Sequence, residues 1–460
     1  MFSNNIILDT DSYKVSHYLQ YPKDTEIVYS YYESRGGKFQ DVIFYGLQYY
    51  IKEYLTGKVV TKEKIQEAKG LLSSHFSTES IFNEKAWTRL LEKHDGHLPI
   101  RIKAVPEGMK IPFQNVMMTI ENTDPEFYWL TNYLETLLSR IWYPCTVATY
   151  SHGIKEIIKE FHEKTSDSLD GIDFKLHDFG SRGVSSTETA AIGGAAHLIN
   201  FLGTDNLISM RLLNKYYSAS ANSGFSIPAS EHSTITSWDD ELEAFKNMLS
   251  SYPTGLVACV SDSYDIFNAC EKLWGTELKD EILNRDGALI VRPDSGNPEE
   301  ITLKIINILG EKFGYTINSK GYKVLNPKIR IIQGDGIDLA MVRDILANYL
   351  INGWSAENIA FGSGGGLLQK HDRDTQKFAV KCSAIRKADK WYDVFKDPIT
   401  DKGKTSKKGR LQLIKSENGF ESVRENPTNI DLLETVFENG ILKKEFTHDE
   451  VKANINMLMK

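Results

Sequence analysis

Cysteine is scarce, with four residues in a chain of 460. Cys145, Cys259, Cys270 and Cys382 include no pair at the Cys-x2-Cys spacing of a zinc or redox site. They read as small buried apolar groups in a reducing compartment. Long apolar runs are missing too: nothing approaches the ~18 uninterrupted apolar residues that a membrane span requires. Met1–Tyr13 has no basic segment leading into an apolar one, so no secretory signal is expected. Basic charge is not in excess, with 54 Lys and Arg against 62 Asp and Glu and a net charge of −8. That balance argues against broad duplex binding, although it permits a local basic patch. His-Glu-x-x-His, Walker A, Gly-x-Ser-x-Gly and the dinucleotide fingerprint are all absent, which weakens the common hydrolase and nucleotide-binding readings. The expectation is a cytoplasmic protein with neither a membrane nor a nucleic acid as partner.

The chain is 41% hydrophobic and 25% charged, which is enough to bury a sizeable core without staples. Thr61–Leu72 has the spacing of a surface helix, and Leu98–Ile120 reads as strands around a turn at Pro106–Gly108. Asp124-Pro125 opens an apolar helix expected over Glu126–Trp142, ended by Pro144. From about residue 170 the pattern changes. FKLHDFGSRG leads into a small-residue helix, Ser186–Asn200. LVACVSDSYD, ALIVRPDSGNP, IRIIQGDGID and NIAFGSGGGLL then follow, most of them leading into helix-like segments. These last four runs recur every ~30–40 residues, the size of a βα unit. They are continuous rather than alternating, as buried parallel strands are. In α/β barrels the C-terminal strand edge carries the chemistry. This places Asp178, Asp262, Asp294, Asp335 and Gly364–Gly366 around one mouth. The tail from Lys381 is more polar and holds a basic run, Lys402–Arg410.

Gly334-Asp335-Gly336 and the run Gly362–Gly366 follow expected strands. Glycine lets backbone N–H groups approach an anion, so two adjacent loops facing Arg292 suit a phosphate; tight turns without a ligand are the other reading. The strand-end aspartates could hold Mg²⁺ with its phosphates, hold sugar hydroxyls, or cap the helices that follow. Asp294, in RPDSGNP beside Arg292, suits a phosphoribosyl group best. Among the eleven histidines, His232 stands in a loop beside Glu231 as a candidate acid, base or nucleophile. His177 reads as a satisfied core imidazole, and His371 and His448 as exposed.

Several segments are long and idiosyncratic: ILDTDSYKVSHYLQYP, KLHDFGSRGVSSTET, FLGTD, PASEHSTIT, VSDSYDIFNACEKLWG, VRPDSGNP, IQGDGID and ENIAFGSGGGLLQK. Through them the chain resembles, essentially end to end, the nicotinamide members of the nicotinate/nicotinamide (type II) phosphoribosyltransferase family. The resemblance implies an irregular, TIM-like α/β barrel over 151–380. It also implies a second α/β domain built from both chain ends, 1–150 with 381–460. It implies a pentosyltransferase of NAD salvage that joins nicotinamide to 5-phosphoribosyl 1-pyrophosphate. Mg²⁺ is required, ATP assists, and the enzyme is a homodimer with active sites at the interface.

The resemblance also implies roles. Phe179 and the partner subunit's Tyr13 stack on the pyridine ring, Asp205 reads the amide, and Arg182 orients the amide or holds phosphate. Arg292, Gly334, Gly364 and Gly365 cradle the 5′-phosphate, and Asp294 holds ribose hydroxyls. Asp11, Arg35, Arg373, Lys381, Lys396 and Lys404 belong to the phosphate and ribose set, part of it from the partner subunit. His232 matches the histidine that ATP phosphorylates, with Asp262 and Asp335 as acidic neighbours. The direct metal ligands stay open. The alternatives are a nicotinate-preferring enzyme and a catalytically silent dimeric binding protein. The chain departs from the family at Ser230, where alanine is usual, at Ala379, where serine is frequent, and in a short segment after Arg35.

Overall fold

A computed structural model describes residues 4–220, 222–400, 405–417 and 419–457. The chain divides into two units: Met1–Thr149 with Tyr216–Ser218 and His371–Lys460, and Tyr150–Lys215 with Ala219–Lys370. The return to the first unit falls at His371 rather than at Lys381. The reason is local pairing: Arg35 N–H donates to Lys377 C=O and Lys38 N–H to Thr375 C=O. Gln376 adds side-chain bonds in both directions with the Phe39 backbone.

The first unit is built on a seven-stranded antiparallel sheet. Its order is Lys390–Asp393, Phe378–Lys387, Thr25–Ser34, Val116–Asn122, Ile100–Ala104, Glu434–Glu438 and Ile441–Leu442, so both chain ends supply strands. The two middle strands are almost wholly buried. Lys62–Phe76 is the expected surface helix, capped by Thr61, whose hydroxyl accepts from Lys64 N–H. Glu107 is buried and accepts from Gly46 N–H, Gln48 N–H and the Tyr217 hydroxyl. His448 is 1% exposed rather than at the surface, and burial pulls its imidazole down to about 4.

One helix boundary is reversed. Pro144 does not end a helix over Glu126–Trp142. That stretch breaks into short turns, and Pro144 lies in the first turn of the long helix Trp142–Thr165. Proline is tolerated there because the first N–H groups of a helix have no intrahelical partner to lose.

The second unit is the barrel. Six parallel strands stand in the order Gly203–Thr204, Leu176–Asp178, Ile359–Ser363, Ile329–Gln333, Asp286–Arg292 and Thr254–Val260. The segment Phe225–Ser230 joins the two edges. Isolated parallel bridges tie Phe225 to Gly203 and Ala229 to Ala258. Phe225 N–H donates to Leu202 C=O, Thr204 N–H to Phe225 C=O, and Ala258 N–H to Pro228 C=O. Around the ring the pieces therefore follow chain order, each next to its sequence neighbour. Ala258, Ile290 and Ile332 form an inner core against which Phe179, Ile227 and Ala360 pack. Among the described residues no helix is long and apolar enough to cross a membrane.

Ser230 explains how the closing segment holds on past Pro228, which has no N–H to give. Its own N–H donates to Ala258 C=O, and its Oγ accepts from the buried Val260 N–H at 2.9 Å. Ser230→Ala leaves that N–H without its acceptor. The expected cost is about 1–2 kcal/mol of unfolding free energy, read from the urea midpoint. An unchanged midpoint would show that the closure does not depend on this hydroxyl.

Candidate active site

A cavity of about 690 Å³ opens at the C-terminal ends of the barrel strands. Most pieces of the ring lend it residues. Asp178, Phe179 and Arg182 follow the first strand, Asp205 follows Gly203–Thr204, and Glu231 follows the closing segment. Arg292 and Asp294 come next, then Gly334 and Asp335, then Gly364 and Gly365. Parallel pairing alone produces this gathering, because every strand ends on the same edge.

The helix caps are made by neighbouring residues. Asp265 accepts from Phe267 and Asn268 N–H, Asn297 from Glu299 N–H, and Asp338 from Met341 N–H. The caps thus fall on residues a few positions downstream, and Asp262, Asp294 and Asp335 cap nothing. Asp262 is nearly buried. Its Oδ2 accepts from Asp294 N–H at 2.9 Å and from the Ser295 hydroxyl. Its Oδ1 has no hydrogen-bond partner and lies 3.7 Å from His232 Nε2. Asp294 Oδ2 is 3.4 Å from the same nitrogen, and Ser263 Oγ is 3.4 Å from Nδ1. The carboxylates facing His232 are therefore Asp262 and Asp294. Its sequence neighbour Glu231 instead accepts from the Ser233 hydroxyl.

The Phe179 ring packs closely against Gly362. A Cβ there would come within 2.0 Å of the ring, so only glycine admits it. Asp205 Oδ1 accepts from the Ser226 hydroxyl. Arg292 Nε is buried without a partner, a donor held ready for an anion beside the backbone of Gly334 and Gly364. Among the described residues no three or more His, Cys, Asp or Glu converge as a metal cage. The donor set nevertheless suits Mg²⁺ brought in on phosphate oxygens and met by one or two carboxylates, since Asp262 Oδ1 is an orphaned oxygen ligand.

The remaining expected residues belong to the first unit. Lys381 has its ammonium pulled down by burial, with Arg35, Lys396 and Arg373 adding to the shift and Glu135 opposing it. Those four cations therefore form one basic cluster. Arg35 Nε donates to Glu33, and its Nη2 is buried without a partner. Tyr13 is exposed, and Asp11 Oδ2 accepts from the Thr136 hydroxyl. Lys404 lies outside the described residues. Within the run Lys402–Arg410, Lys407 pairs with Glu33 and Arg410 with Glu121 and Glu425, so this part is fastened down.

A second cavity, of about 560 Å³, is mainly apolar, with Lys175, His177 and Arg330 in its wall. Burial lowers the Lys175 ammonium to about 8 and also lowers His177, whose Nε2 meets Phe174 C=O. Sequence reasoning missed this cavity, and it missed Ser226, Ser263 and Asn206 as well. Their only signal was adjacency to Asp205, Asp262 and the closing segment.

The model of the nicotinate phosphoribosyltransferase family matches residues 174–441, and that of the nicotinamide phosphoribosyltransferase N-terminal domain matches residues 5–102. A nicotinamide phosphoribosyltransferase of Xanthomonas campestris is 49% identical over 98% of both chains. One of Acinetobacter baylyi is 34% identical over 99% of this chain and 97% of its own. In fold, the chain is similar to a nicotinate-nucleotide pyrophosphorylase from Pyrococcus furiosus. The TM-score is 0.62 at 17% identity, covering 99% of this chain and 96% of that one.

Asp178 is fully buried, and desolvation raises its carboxyl from 3.8 to about 6 against the hydrogen bonds of Asn206 and Gly180. A folded value above the unfolded one means that this group favours folding fully below 3.8 and loses that contribution as pH rises through about 6. Comparing wild type with Asp178→Asn by urea unfolding at pH 7 and pH 5 should show the wild type gaining about 1 kcal/mol on the variant upon acidification. A pH-independent difference would contradict the raised value.

Proposed function

The chain belongs to the nicotinate phosphoribosyltransferase family, on the branch of the nicotinamide phosphoribosyltransferases, and on that premise we propose how its barrel mouth works. The reaction joins nicotinamide to 5-phosphoribosyl 1-pyrophosphate and releases nicotinamide mononucleotide and pyrophosphate. The observation that carries this reading is the convergence of Phe179, Asp205, Arg292 and Asp294 on one cavity. Arg292 and the N–H groups at Gly334, Gly364 and Gly365 take the 5′-phosphate, and Asp294 takes ribose hydroxyls. Phe179 offers a ring face to the electron-poor pyridine. Asp205, with Oδ1 engaged by Ser226, keeps Oδ2 for the amide NH2; the same carboxylate repels nicotinic acid.

The C1–O bond to pyrophosphate breaks toward an oxocarbenium-like centre, and the pyridine nitrogen closes on C1 with its own lone pair. No general base is needed, so the protein's work is positioning and charge stabilisation. Asp262 and Asp294 would hold Mg²⁺ arriving with the pyrophosphate, and the ion would supply charge neutralisation at the leaving group. ATP transfers its γ-phosphoryl group to His232 and leaves as ADP. The two carboxylates face Nε2, which leaves Nδ1, beside Ser263, as the acceptor. The phosphohistidine adds negative charge and oxygens beside the pyrophosphate site. Tyr13 serves the site of the other protomer in a homodimer, and Arg35, Arg373, Lys381, Lys396, Lys404 and Asp11 form the phosphate and ribose set, part of it acting across the interface. The enzyme works in the cytoplasm, in NAD salvage.

The test is a product assay on purified protein with phosphoribosyl pyrophosphate and Mg²⁺. Nicotinamide and nicotinic acid are offered separately, each with and without ATP. Mononucleotide from nicotinamide, increased by ATP, is expected; product mainly from nicotinic acid would overturn the role of Asp205. In His232→Ala, ATP stimulation should vanish. Basal turnover should fall about tenfold to a hundredfold, the equivalent of one or two charge-assisted contacts. Full ATP stimulation in that variant would refute the phosphohistidine.

A further inference from the structure

We propose that Asn206 is a positioning residue for substrate selectivity: its side-chain amide, clamped between Asp178 and the helix Thr187–Leu198, fixes the Asp205 carboxylate relative to the Phe179 ring. The proposal rests on the reading of Asp205 and Phe179 given above, and it adds what holds them.

Asp205 and Phe179 each lie one residue beyond the last ladder contact of two neighbouring strands. That ladder ends with Asp178 opposite Thr204. A single backbone bond follows, from Asp205 N–H to Asp178 C=O. Beyond it the two chains enter separate loops with different anchors: Phe179 N–H donates to Ser363 C=O, and Asp205 Oδ1 accepts from the Ser226 hydroxyl. Side chains add a direct tie between them. Asn206 Nδ2 donates one proton to Asp178 Oδ2 at 2.9 Å and the other to Ala190 C=O at 2.8 Å. Asp178 Oδ1 accepts from Gly180 N–H at 2.7 Å. Asn206 therefore holds the residue before Phe179, while Asp178 holds the residue after it. Both side chains are buried. Both carboxylate oxygens of Asp178 are acceptors in this arrangement, which a neutral amide at that position could not reproduce.

The third member is Gly194. A Cβ at that position would come within 2.5 Å of Asn206 Nδ2 and 2.7 Å of Asp178 Oδ2. The helix can rest on the pair only because Gly194 has no side chain, which gives the small-residue run AIGGAA a reason.

A plainer role exists for Asn206, since it precedes the helix Leu207–Tyr216 and its Oδ1 accepts from Ser209 N–H at 3.3 Å, as an N-cap does. The cap uses Oδ1 and the clamp uses Nδ2, so serine separates them: it retains a cap acceptor and lacks the amide donors. For Asn206→Ser the melting temperature should stay within a few degrees of wild type. The KM for nicotinamide should rise about tenfold, one or two buried hydrogen bonds' worth, with kcat and the KM for phosphoribosyl pyrophosphate changed by no more than about twofold. The ratio of kcat/KM for nicotinamide over nicotinic acid should fall. Gly194→Ala, which leaves every hydrogen-bonding group in place but displaces the pair, should show the same split. Asp205→Ser is the reference. If it loses amide preference while Asn206→Ser and Gly194→Ala keep wild-type nicotinamide KM and preference, the clamp is not a positioning device. If Asp205→Ser itself keeps amide preference, the reading of Asp205 falls, and this proposal falls with it.

Discussion

Parallel pairing around the barrel is the constraint from which the site follows. Each strand is hydrogen-bonded in the same direction as its neighbours, so each must deliver its next few residues to the same edge. Phe179, Asp205, Arg292, Gly334 and Gly364 are far apart in sequence, and no local interaction brings them together. They share a cavity because the ring leaves them nowhere else to go. Buried Val, Ile and Leu on continuous strands stabilise the ring. The residues that stop each strand are then free to be chosen for chemistry.

The site's electrostatics are local and do not reflect the net charge. The chain is acidic overall, yet Arg292 presents a buried donor with no protein partner, and in the first unit three cations gather around Lys381. Such arrangements are costly when empty and become favourable when an anion arrives. The opposite holds for Asp262, whose two oxygens divide the labour. Oδ2 fixes the turn at Asp294 and Ser295, and Oδ1 is left facing His232.

Much of this was legible in the sequence. The runs ending at Asp178, Val260, Arg292, Gln333 and Ser363 carried the signature of buried parallel strands, and their terminal residues announced the mouth. What escaped detection did so for physical reasons. The closing segment Phe225–Ser230 contains Pro228 and pairs through isolated bridges, so it has no strand pattern to recognise. Pro144 looked like a helix end because proline at either terminus of a helix reads alike without coordinates. The caps at Asp265, Asn297 and Asp338 could not be told from the free aspartates a few residues upstream, because both are short acidic or amide residues after a strand. Asn206 was invisible because a cap and a clamp use opposite ends of one amide. His448 looked exposed because a polar residue in a polar tail gives no hint of burial. Which family branch the chain joins came from resemblance; periodicity carried no information about it.

The closing segment also sets the order in which the barrel comes apart. Most staves are held by ladders, whereas Phe225–Ser230 is held by isolated bridges, a few backbone bonds and the Ser230 hydroxyl. His232 follows two residues later, and Ser226 reaches Asp205 from the same segment. When the ring loosens under mild denaturant, this stave is the first to let go. The histidine then parts from its carboxylates while the glycine loops and Arg292 still stand on intact strands. Partial unfolding accordingly separates the histidine's side of the mouth from the side built on Arg292 and the glycine loops, well before the protein loses its shape.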